Sequence, residues 1–260
     1  MVKVETGELK GRREMLRRKV KAELTDVHAH ILPGVDDGAE SLEEARQMLQ
    51  MAYDQGIRRI IATPHYRRGQ DTARLRELAR ELKKEAEKID SDFRIYLGQE
   101  LMDSEELLED LKEGRAFTMA GSRYILIEFQ PVVSFSHMCQ RLRQLQMAGY
   151  LPVIAHMERY ECLKRGERVR DLIQAGNFTQ MNFSSLQGNP LHKNTRWCRR
   201  QVLDGNVHLL GTDMHHINQR TPDIKKAVSW LSRNCTRSRL YWMVWKNPAY
   251  IIKKKEGMGR

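Results

Sequence analysis

Seven short apolar runs recur along the 260-residue chain, and the segments between them place apolar residues at helical spacing. The runs cover residues 25–30, 58–64, 93–100, 123–129, 151–156, 178–184 and 207–213. Strands that alternate with helices predict a parallel sheet with crossover helices. Seven strands are compatible with an open doubly wound sheet or with a closed barrel.

Two of the intervening segments carry clear helix signals. Residues 41–56 open with S-L-E-E, in which Ser41 and Glu44 fit a capping box, and Gly56 ends the segment. Residues 72–89 carry leucines at a spacing of three and four, with charged residues between them. Both patterns predict amphipathic helices that pack one face against the sheet.

The composition places the chain among globular proteins. Hydrophobic residues make up 40% and charged residues 30%, and we find no run of roughly 18 apolar residues that could span a bilayer. The N-terminal residues are too charged for a signal peptide, so we expect a cytoplasmic protein without a transmembrane segment. The four cysteines form no C-x-x-C pair, which argues against a disulfide framework or a zinc ribbon.

The net charge of +11 is unevenly distributed. We expect a basic N-terminal extension over residues 1–24, one catalytic domain over residues 25–253 and a basic tail over residues 254–260. From residue 190 onward there are 15 Lys or Arg against 4 acids, whereas residues 1–189 hold 30 of each. Such a region favours an anionic partner, although a solvated basic face is the simpler explanation.

Metal-competent side chains collect at the carboxyl ends of the predicted strands, the face where α/β folds bind ligands. They are Asp26, His28 and His30 on the first run, His65 after the second, Glu100 on the third, Glu128 on the fourth, His156 on the fifth, and Asp213 and His215 after the seventh. Residues i and i+2 of a strand point to the same side, so His28 and His30 can converge on one ion, and Asp213 with His215 would do the same if the strand continued. Nitrogen and oxygen donors without thiolate suit Mn, Fe, Zn or Mg ions.

This chemistry predicts hydrolysis of a phosphate ester. Two or more ions held close together can clamp a phosphoryl group and activate water. Arg159 and Arg220, which lie close in sequence to His156 and His215, offer planar forks that hold phosphate oxygens. We therefore predict that both arginines contact substrate. Tyr66 and Arg67 would line the substrate entrance, although a plain surface loop explains these two residues as well.

Several motifs resemble one family. D-V-H-A-H-I-L-P-G-V-D-D-G, I-I-A-T-P-H, A-H-M-E-R-Y and G-T-D-M-H-H are similar to those of bacterial PHP-domain proteins, and in particular of the metal-dependent protein-tyrosine phosphatases of capsule and exopolysaccharide loci. The resemblance implies a distorted (β/α)7 barrel with two or three ions, generally manganese. It implies eight ligands: His28, His30, His65, Glu100, Glu128, His156, Asp213 and His215.

The resemblance also implies a substrate and a location. The substrate would be a tyrosine-phosphorylated protein, specifically a membrane-linked tyrosine kinase that controls polysaccharide export. That partner would bring the protein to the inner face of the membrane, and no nucleic acid would be obligatory. The oligomeric state, including whether the protein forms an oligomer at all, is left open.

Four alternatives remain open on the sequence alone. Cys162 and Arg168 fit the C-x5-R spacing of a cysteine-based tyrosine phosphatase, but the intervening L-K-R-G-E has one glycine and no strand adjoins it. The metal site could instead act on a small phosphate ester such as histidinol phosphate, or on a nucleic-acid 3′ end. A metal-stabilised binding module without catalysis is the fourth alternative.

Overall fold

The computed structural model describes residues 23–253, so the proposed tail at 254–260 and most of the proposed extension at 1–24 lie outside the described residues. Eight strands are β1 (Leu24–Ala29), β2 (Ile57–Ala62), β3 (Arg94–Leu97), β4 (Glu100–Met102), β5 (Tyr124–Glu128), β6 (Leu151–Ile154), β7 (Phe178–Asn182) and β8 (Leu209–Gly211). The α-helices are α1 (Leu42–Asp54), α2 (Thr72–Ile89), α3 (Leu107–Lys112), α4 (Phe135–Met147), α5 (Arg168–Gln174), α6 (Lys193–Asp204), α7 (Lys225–Asn234), α8 (Arg237–Tyr241) and α9 (Asn247–Ile252). A π-helical turn, Trp242–Lys246, joins α8 to α9.

All strand pairs are parallel and follow chain order around a barrel. One sheet runs β1-β2-β3 and the other runs β4-β5-β6-β7-β8. The barrel closes between the first strand and the residues after β8, where the Asp213 amide donates to the His28 carbonyl over 2.8 Å and the His30 amide donates to the Met214 carbonyl over 2.9 Å. This arrangement confirms the predicted α/β barrel.

Residues 93–100, predicted as one strand, form two strands, β3 and β4, with a corner between them. The two strands belong to different sheets. β3 pairs with β2, whereas β4 pairs with β5. The corner is held by the buried Gln99, whose side-chain carbonyl accepts from the Phe117 amide over 2.8 Å. A Cβ added to Gly98 would lie 3.1 Å from the Met119 Cα, so a side chain at this position would crowd the turn. β1 begins at Leu24, one residue before the predicted start.

The two predicted helices form at the predicted places. Ser41 caps α1 by accepting from the Glu44 amide over 3.2 Å. Glu44 reaches the amide of Glu40 rather than that of Ser41, so the capping box is shifted by one residue. Asp71 caps α2 by accepting from two amides of the first turn. Each helix buries its apolar face and leaves its charged face in solvent.

Two apolar clusters fill the fold. The larger one lies between the strands and the helices that cover them. The smaller one joins Val27, Ile61, Leu126, Val153 and Leu209 of five strands to Ile251 of α9. None of the helices within residues 23–253 is both long enough and apolar enough to cross a membrane.

Candidate metal centre

The carboxyl ends of the strands bring the eight predicted ligands to one mouth of the barrel. His28 lies on β1 and His30 follows it, and both imidazoles are fully buried. Their Nε2 atoms lie 3.1 Å apart. The period of two along a strand therefore aims both rings at one point, as the sequence predicts.

Glu100, the first residue of β4, lies at the centre of the cluster. Its Oε2 is 3.3 Å from His28 Nε2, 3.2 Å from His30 Nε2 and 3.2 Å from His65 Nδ1. Its Oε1 is 2.8 Å from His156 Nε2. One carboxylate thus faces four imidazoles, and Glu100 would be among the residues that hold an ion there.

The other predicted acidic ligands, Glu128 and Asp213, also face imidazoles of the cluster. Glu128, at the end of β5, places Oε1 3.2 Å from His156 Nε2. Asp213 places Oδ1 3.5 Å from the Nε2 atoms of His28 and His30. The His215 ring stacks on the ring of His30, with 4.0 Å between the ring centroids.

The structure also adds Asp37, which the sequence analysis does not single out. Its Oδ1 lies 3.5 Å from His65 Nε2 and 3.6 Å from His215 Nε2. Asp37 is exposed at the mouth, whereas its neighbour Asp36 is turned inward. The aspartate pair in G-V-D-D-G could have been recognised as a source of ligands, because both residues follow closely after His30.

Arg159 and Arg220 hold Asp213 from opposite sides. Arg159 Nη2 pairs with Asp213 Oδ2, and Arg220 Nη2 lies 2.5 Å from Asp213 Oδ1. Arg220 Nη1 also lies 2.8 Å from His215 Nε2. Both arginine side chains are about two-fifths exposed, at 40% and 42%, so they connect the buried cluster to solvent.

The strand geometry does not continue to the last two ligands, which corrects one expectation. β8 ends at Gly211, and Asp213 has a φ of 54°. His156 and Arg220 also have positive φ, at 28° and 48°. Non-glycine residues in this region are strained and cluster at functional sites. Asp213 and His215 therefore reach the cluster through a turn rather than through strand periodicity.

The carboxylates make this cluster attract positive charge. Burial lowers the pKa of His30, but hydrogen bonds with Asp36 and Glu100 outweigh burial and raise it to about 10. The pKa of His156 rises to about 9 for the same kind of reason, against burial and through Glu100 and Glu128. Burial disfavours the charged form of Glu100, yet the neighbouring imidazoles hold its pKa well below the usual range.

His215 differs from these histidines. Burial, reinforced by the positive charges of His30 and Arg220, lowers the pKa of His215 to about 4. It is therefore neutral near pH 7, and its Nε2 lone pair accepts from Arg220 Nη1 over 2.8 Å. Divalent ions would replace the protons that His30 and His156 hold, because metal binding releases protons from its ligands.

The donor set fits a group of metal ions. Three overlapping sets hold their ligand atoms within 4.8 Å of one another: His30, Asp37, His65 and His215; His28, His30 and Glu100; His65, Glu100 and Glu128. Buried imidazoles and carboxylates at this density are costly unless they are paired or coordinate metals. Shared members of the sets are consistent with two or three neighbouring ions, all bound by nitrogen and oxygen.

A second layer of polar residues on β7 holds the predicted ligands in place. The Gln180 carbonyl Oε1 lies 3.2 Å from His28 Nδ1 and accepts from the His156 amide over 2.6 Å. Gln180 Nε2 donates to Asn182 Oδ1 over 2.9 Å, and Asn182 Nδ2 donates to Asp213 Oδ2 over 2.8 Å. Neither Gln180 nor Asn182 is predicted from the sequence, because their amides contact the predicted ligands and are not themselves typical metal ligands.

Close packing fixes the two histidines of β1 further. Asp36 Oδ2 lies 2.7 Å from His30 Nδ1. A Cβ built on Gly38 would lie 2.1 Å from the His30 carbonyl oxygen, and one on Gly211 would lie 2.6 Å from the Cβ of His28. Only glycine fits at these two approaches, which explains the glycines that end G-V-D-D-G and precede T-D-M-H-H.

Three other residues from the sequence analysis lie outside the cluster. Asp26 accepts from the Thr212 amide over 2.9 Å and from its hydroxyl, so it closes the barrel instead of binding metal. Tyr66 is half-buried, and its burial raises its pKa to about 12. Arg67 is exposed and forms no ion pair with any residue of the described range 23–253. The Tyr66 amide donates to the Glu100 carbonyl over 2.9 Å, but the side chains of Tyr66 and Arg67 make no hydrogen bond to the predicted ligands.

The cysteine alternative finds no support in the geometry. Arg168 Nη1 donates to the backbone carbonyl of Cys162 over 2.9 Å instead of lining an anion cradle. Burial raises the pKa of the Cys162 thiol, which disfavours the nucleophilic thiolate.

The fold and the cluster together define a parallel α/β barrel whose mouth is suited to several metal ions. A family model described as "Capsular polysaccharide synthesis, CpsB/CapC" matches residues 24–253, and the chain belongs to this family. The family resemblance found in the sequence is thereby confirmed.

Named relatives agree with this assignment. The chain is 33% identical over 239 residues to the tyrosine-protein phosphatase CpsB of Streptococcus agalactiae serotype V, covering 88% of this chain and 98% of that protein. It is 32% identical over 241 residues to the tyrosine-protein phosphatase YwqE of Bacillus subtilis, covering 89% and 92% of the two chains.

Solved structures agree as well. A crystal structure from work on YwqE of Bacillus subtilis and CpsB of Streptococcus pneumoniae, described there as metal-dependent tyrosine phosphatases, matches with a TM-score of 0.79 and 31% identity. The match covers 88% of this chain and 94% of the other. Dihydroorotase of Campylobacter jejuni matches with a TM-score of 0.57 and 12% identity over 90% of this chain and 84% of the other, which shows a shared fold alone.

Proposed function

We propose that this protein is a metal-dependent protein-tyrosine phosphatase of capsular polysaccharide synthesis. The observation that carries the proposal is the pairing of a cluster suited to several ions with two solvent-reaching arginines on Asp213. The names of the relatives support the same activity. We propose manganese as the ion because the family resemblance implies it; imidazole and carboxylate donors without thiolate suit manganese, as they also suit Fe, Zn or Mg.

The proposed ligands are the eight residues predicted from sequence together with Asp37. Divalent ions, when bound, supply Lewis-acid activation of water and of the phosphoryl group. Arg159 and Arg220 donate to the phosphoryl oxygens, since their forks are already fixed at the edge of the cluster by Asp213. Asp36 and Gln180 hold the Nδ1 sides of His30 and His28, so that the Nε2 atoms face inward.

The leaving group explains why tyrosine suits this site. A tyrosine phenol has a pKa of about 10, so its oxygen departs more readily than that of serine and depends less on a general acid. As the protein substrate we propose a membrane-linked tyrosine kinase that regulates polysaccharide export. The family's description as a capsular polysaccharide synthesis group and the basic excess after residue 190 support this partner.

The test compares substrates before and after metal removal. The purified full chain is assayed on a phosphotyrosine peptide, histidinol phosphate and an oligonucleotide, then treated with chelator, analysed for metal and reloaded with Mn²⁺. We expect hydrolysis of the phosphotyrosine peptide that disappears with the metal and returns with it. Preference for histidinol phosphate or the oligonucleotide, or activity that survives complete metal removal, would replace this proposal.

A further inference from the structure

A groove of about 530 Å³ lies between the loop after β5 and the loop after β6, which follow the predicted ligands Glu128 and His156 in the chain. Its walls include Pro131, Val132 and Phe135 from the first loop and Cys162, Arg165 and Arg168 from the second. The two loops are fastened together at their roots, where the Phe129 amide donates to the Tyr160 hydroxyl oxygen over 3.0 Å. This bond joins the two loops close to the strand ends that carry Glu128 and His156.

The groove begins a few residues from the proposed phosphate contact. Glu161, at the edge of the groove, is two residues beyond Arg159, and Pro131 is three residues beyond Glu128. Successive Cα atoms are about 3.8 Å apart, so these steps span at most about 12 Å. An extended peptide rises about 3.3 Å per residue. A substrate residue about two to four positions from the phosphotyrosine would therefore reach the groove.

Of the two arginines in the groove walls, Arg168 donates to the Cys162 carbonyl and covers Phe135, whereas Arg165 makes neither contact. Glu161 pairs with Lys164 over 2.6 Å, and Glu167 pairs with Arg170 over 2.7 Å. Arg165 is exposed, and no carboxylate within residues 23–253 lies at ion-pair distance from it. The neighbouring acids are thus already neutralised, and Arg165 offers its guanidinium to an incoming carboxylate.

The opposite wall is apolar. Val132 is 93% exposed, and Phe135 is half-buried beneath the Arg168 guanidinium, which lies 4.8 Å from the ring centroid. Covering an exposed valine with an apolar side chain removes apolar surface from water and is favourable. The groove therefore presents an apolar wall facing a cationic one.

We propose that this groove binds the substrate segment next to the phosphotyrosine and favours a carboxylate opposite Arg165 combined with an apolar side chain against Val132 and Phe135. The inference rests on the proposed phosphotyrosine phosphatase activity and specifies the peptide that the same site selects. It assigns Arg165 and Val132 to substrate selection and not to the chemical step.

The test measures peptide selection. A set of phosphotyrosine peptides carries one Glu and one Leu placed two to four positions from the phosphotyrosine on either side, and matched peptides carry Gln and Ala there. The kcat/KM of the Mn²⁺-loaded full chain is measured for each peptide and for free phosphotyrosine. We expect the best Glu-Leu peptide to exceed its Gln-Ala match by about two- to fivefold or more, the range of an exposed ion pair.

Variants assign that preference to the groove. Arg165→Glu is expected to abolish or reverse the preference for Glu, and Val132→Ser to reduce the preference for Leu. Arg200→Glu is the matched control, because Arg200 lies on α6 with a side chain that is 80% exposed and is absent from the groove walls. Circular dichroism confirms that each variant is folded. The side chain of Val132 is 93% exposed and that of Arg165 is also exposed. Folding should therefore tolerate both substitutions.

The outcomes separate the two proposals. A wild-type enzyme that hydrolyses all phosphotyrosine peptides equally well, or an Arg165→Glu variant that keeps the wild-type preference, overturns the groove and leaves the phosphatase proposal intact. A metal-loaded wild-type protein that hydrolyses no phosphotyrosine substrate overturns the phosphatase proposal, and the groove proposal with it.

Discussion

The Gln180 side chain contacts two predicted ligands, His28 and His156. Its replacement should weaken metal binding although every predicted ligand is still present. Gln180→Leu keeps a similar volume but deletes the acceptor for the His156 amide at 2.6 Å and for His28 Nδ1 at 3.2 Å, together with the donor to Asn182 at 2.9 Å. A buried polar group left without a partner costs about 1–3 kcal/mol. Since three groups lose one partner, we expect unfolding free energy to fall by about 3 kcal/mol.

The expected loss in metal affinity follows from the tautomer of His28. The bond between Gln180 and His28 Nδ1 keeps the proton on Nδ1 and leaves Nε2 free to face the cluster. Loss of such an outer partner typically lowers metal affinity about 10- to 100-fold. Gln180→Glu keeps the acceptor and loses only the donor to Asn182, so it should restore most of the affinity.

The assay measures Mn²⁺ affinity by calorimetric titration of the chelated protein, alongside urea unfolding. Thr179→Val is the matched control, because Thr179 is the preceding residue of the same strand, is fully buried, and donates to the Asn206 carbonyl over 2.6 Å. It should lower stability but leave Mn²⁺ affinity unchanged. If Gln180→Leu and Thr179→Val bind Mn²⁺ equally well, Gln180 has only a structural role and this reasoning is wrong.

Three further substitutions test the site. Gly38→Ala should lower the metal content of a protein that still folds, because the added Cβ would lie 2.1 Å from the His30 carbonyl oxygen. Elemental analysis measures the metal content and circular dichroism checks the fold. A folded variant with full metal content would contradict the prediction. Arg220→Gln should reduce kcat/KM for phosphotyrosine about 10- to 100-fold, the worth of a charge-assisted hydrogen bond, at unchanged metal content. Cys162→Ser should keep activity within about twofold in the same assay, whereas a loss beyond tenfold would revive the thiol mechanism.

The sequence predicts the gathering of the eight ligands because of a general property of parallel barrels. The carboxyl ends of all strands open at one face, so residues at those ends meet however far apart they lie in the chain. His28 and Glu100, 72 positions apart in the sequence, come within 3.3 Å for this reason. Strand periodicity then predicts the convergence of His28 with His30 without any knowledge of loops.

The strand corner and the roles of Gln180 and Asp37 depend on contacts between residues that are far apart in sequence, which no local sequence pattern contains. The corner at Gly98 and Gln99 splits an apolar run that looks continuous, since the split is imposed by the pairing of β3 with β2 and of β4 with β5. Gln180 is a polar residue in a strand-like run, and its importance appears only when His28 and His156 lie beside it. The sequence places both aspartates of G-V-D-D-G close to His30, but the choice of Asp37 over Asp36 appears only when the turn brings Asp37 to His65.

Backbone strain connects these unpredicted contacts to the chemistry. His156, Asp213 and Arg220 adopt positive φ, a conformation that costs on the order of 1–3 kcal/mol for a non-glycine residue. Each takes part in a backbone hydrogen bond or lies in a turn closed by one: the Asp213 amide donates to the His28 carbonyl across the barrel, the Arg159 amide to the His156 carbonyl within one turn, and the His215 amide to the Arg220 carbonyl within one loop. These bonds help to hold the backbone of the site in this conformation. A site built in this way meets its ions already oriented, which is the condition under which fixed charges stabilise a transition state most effectively.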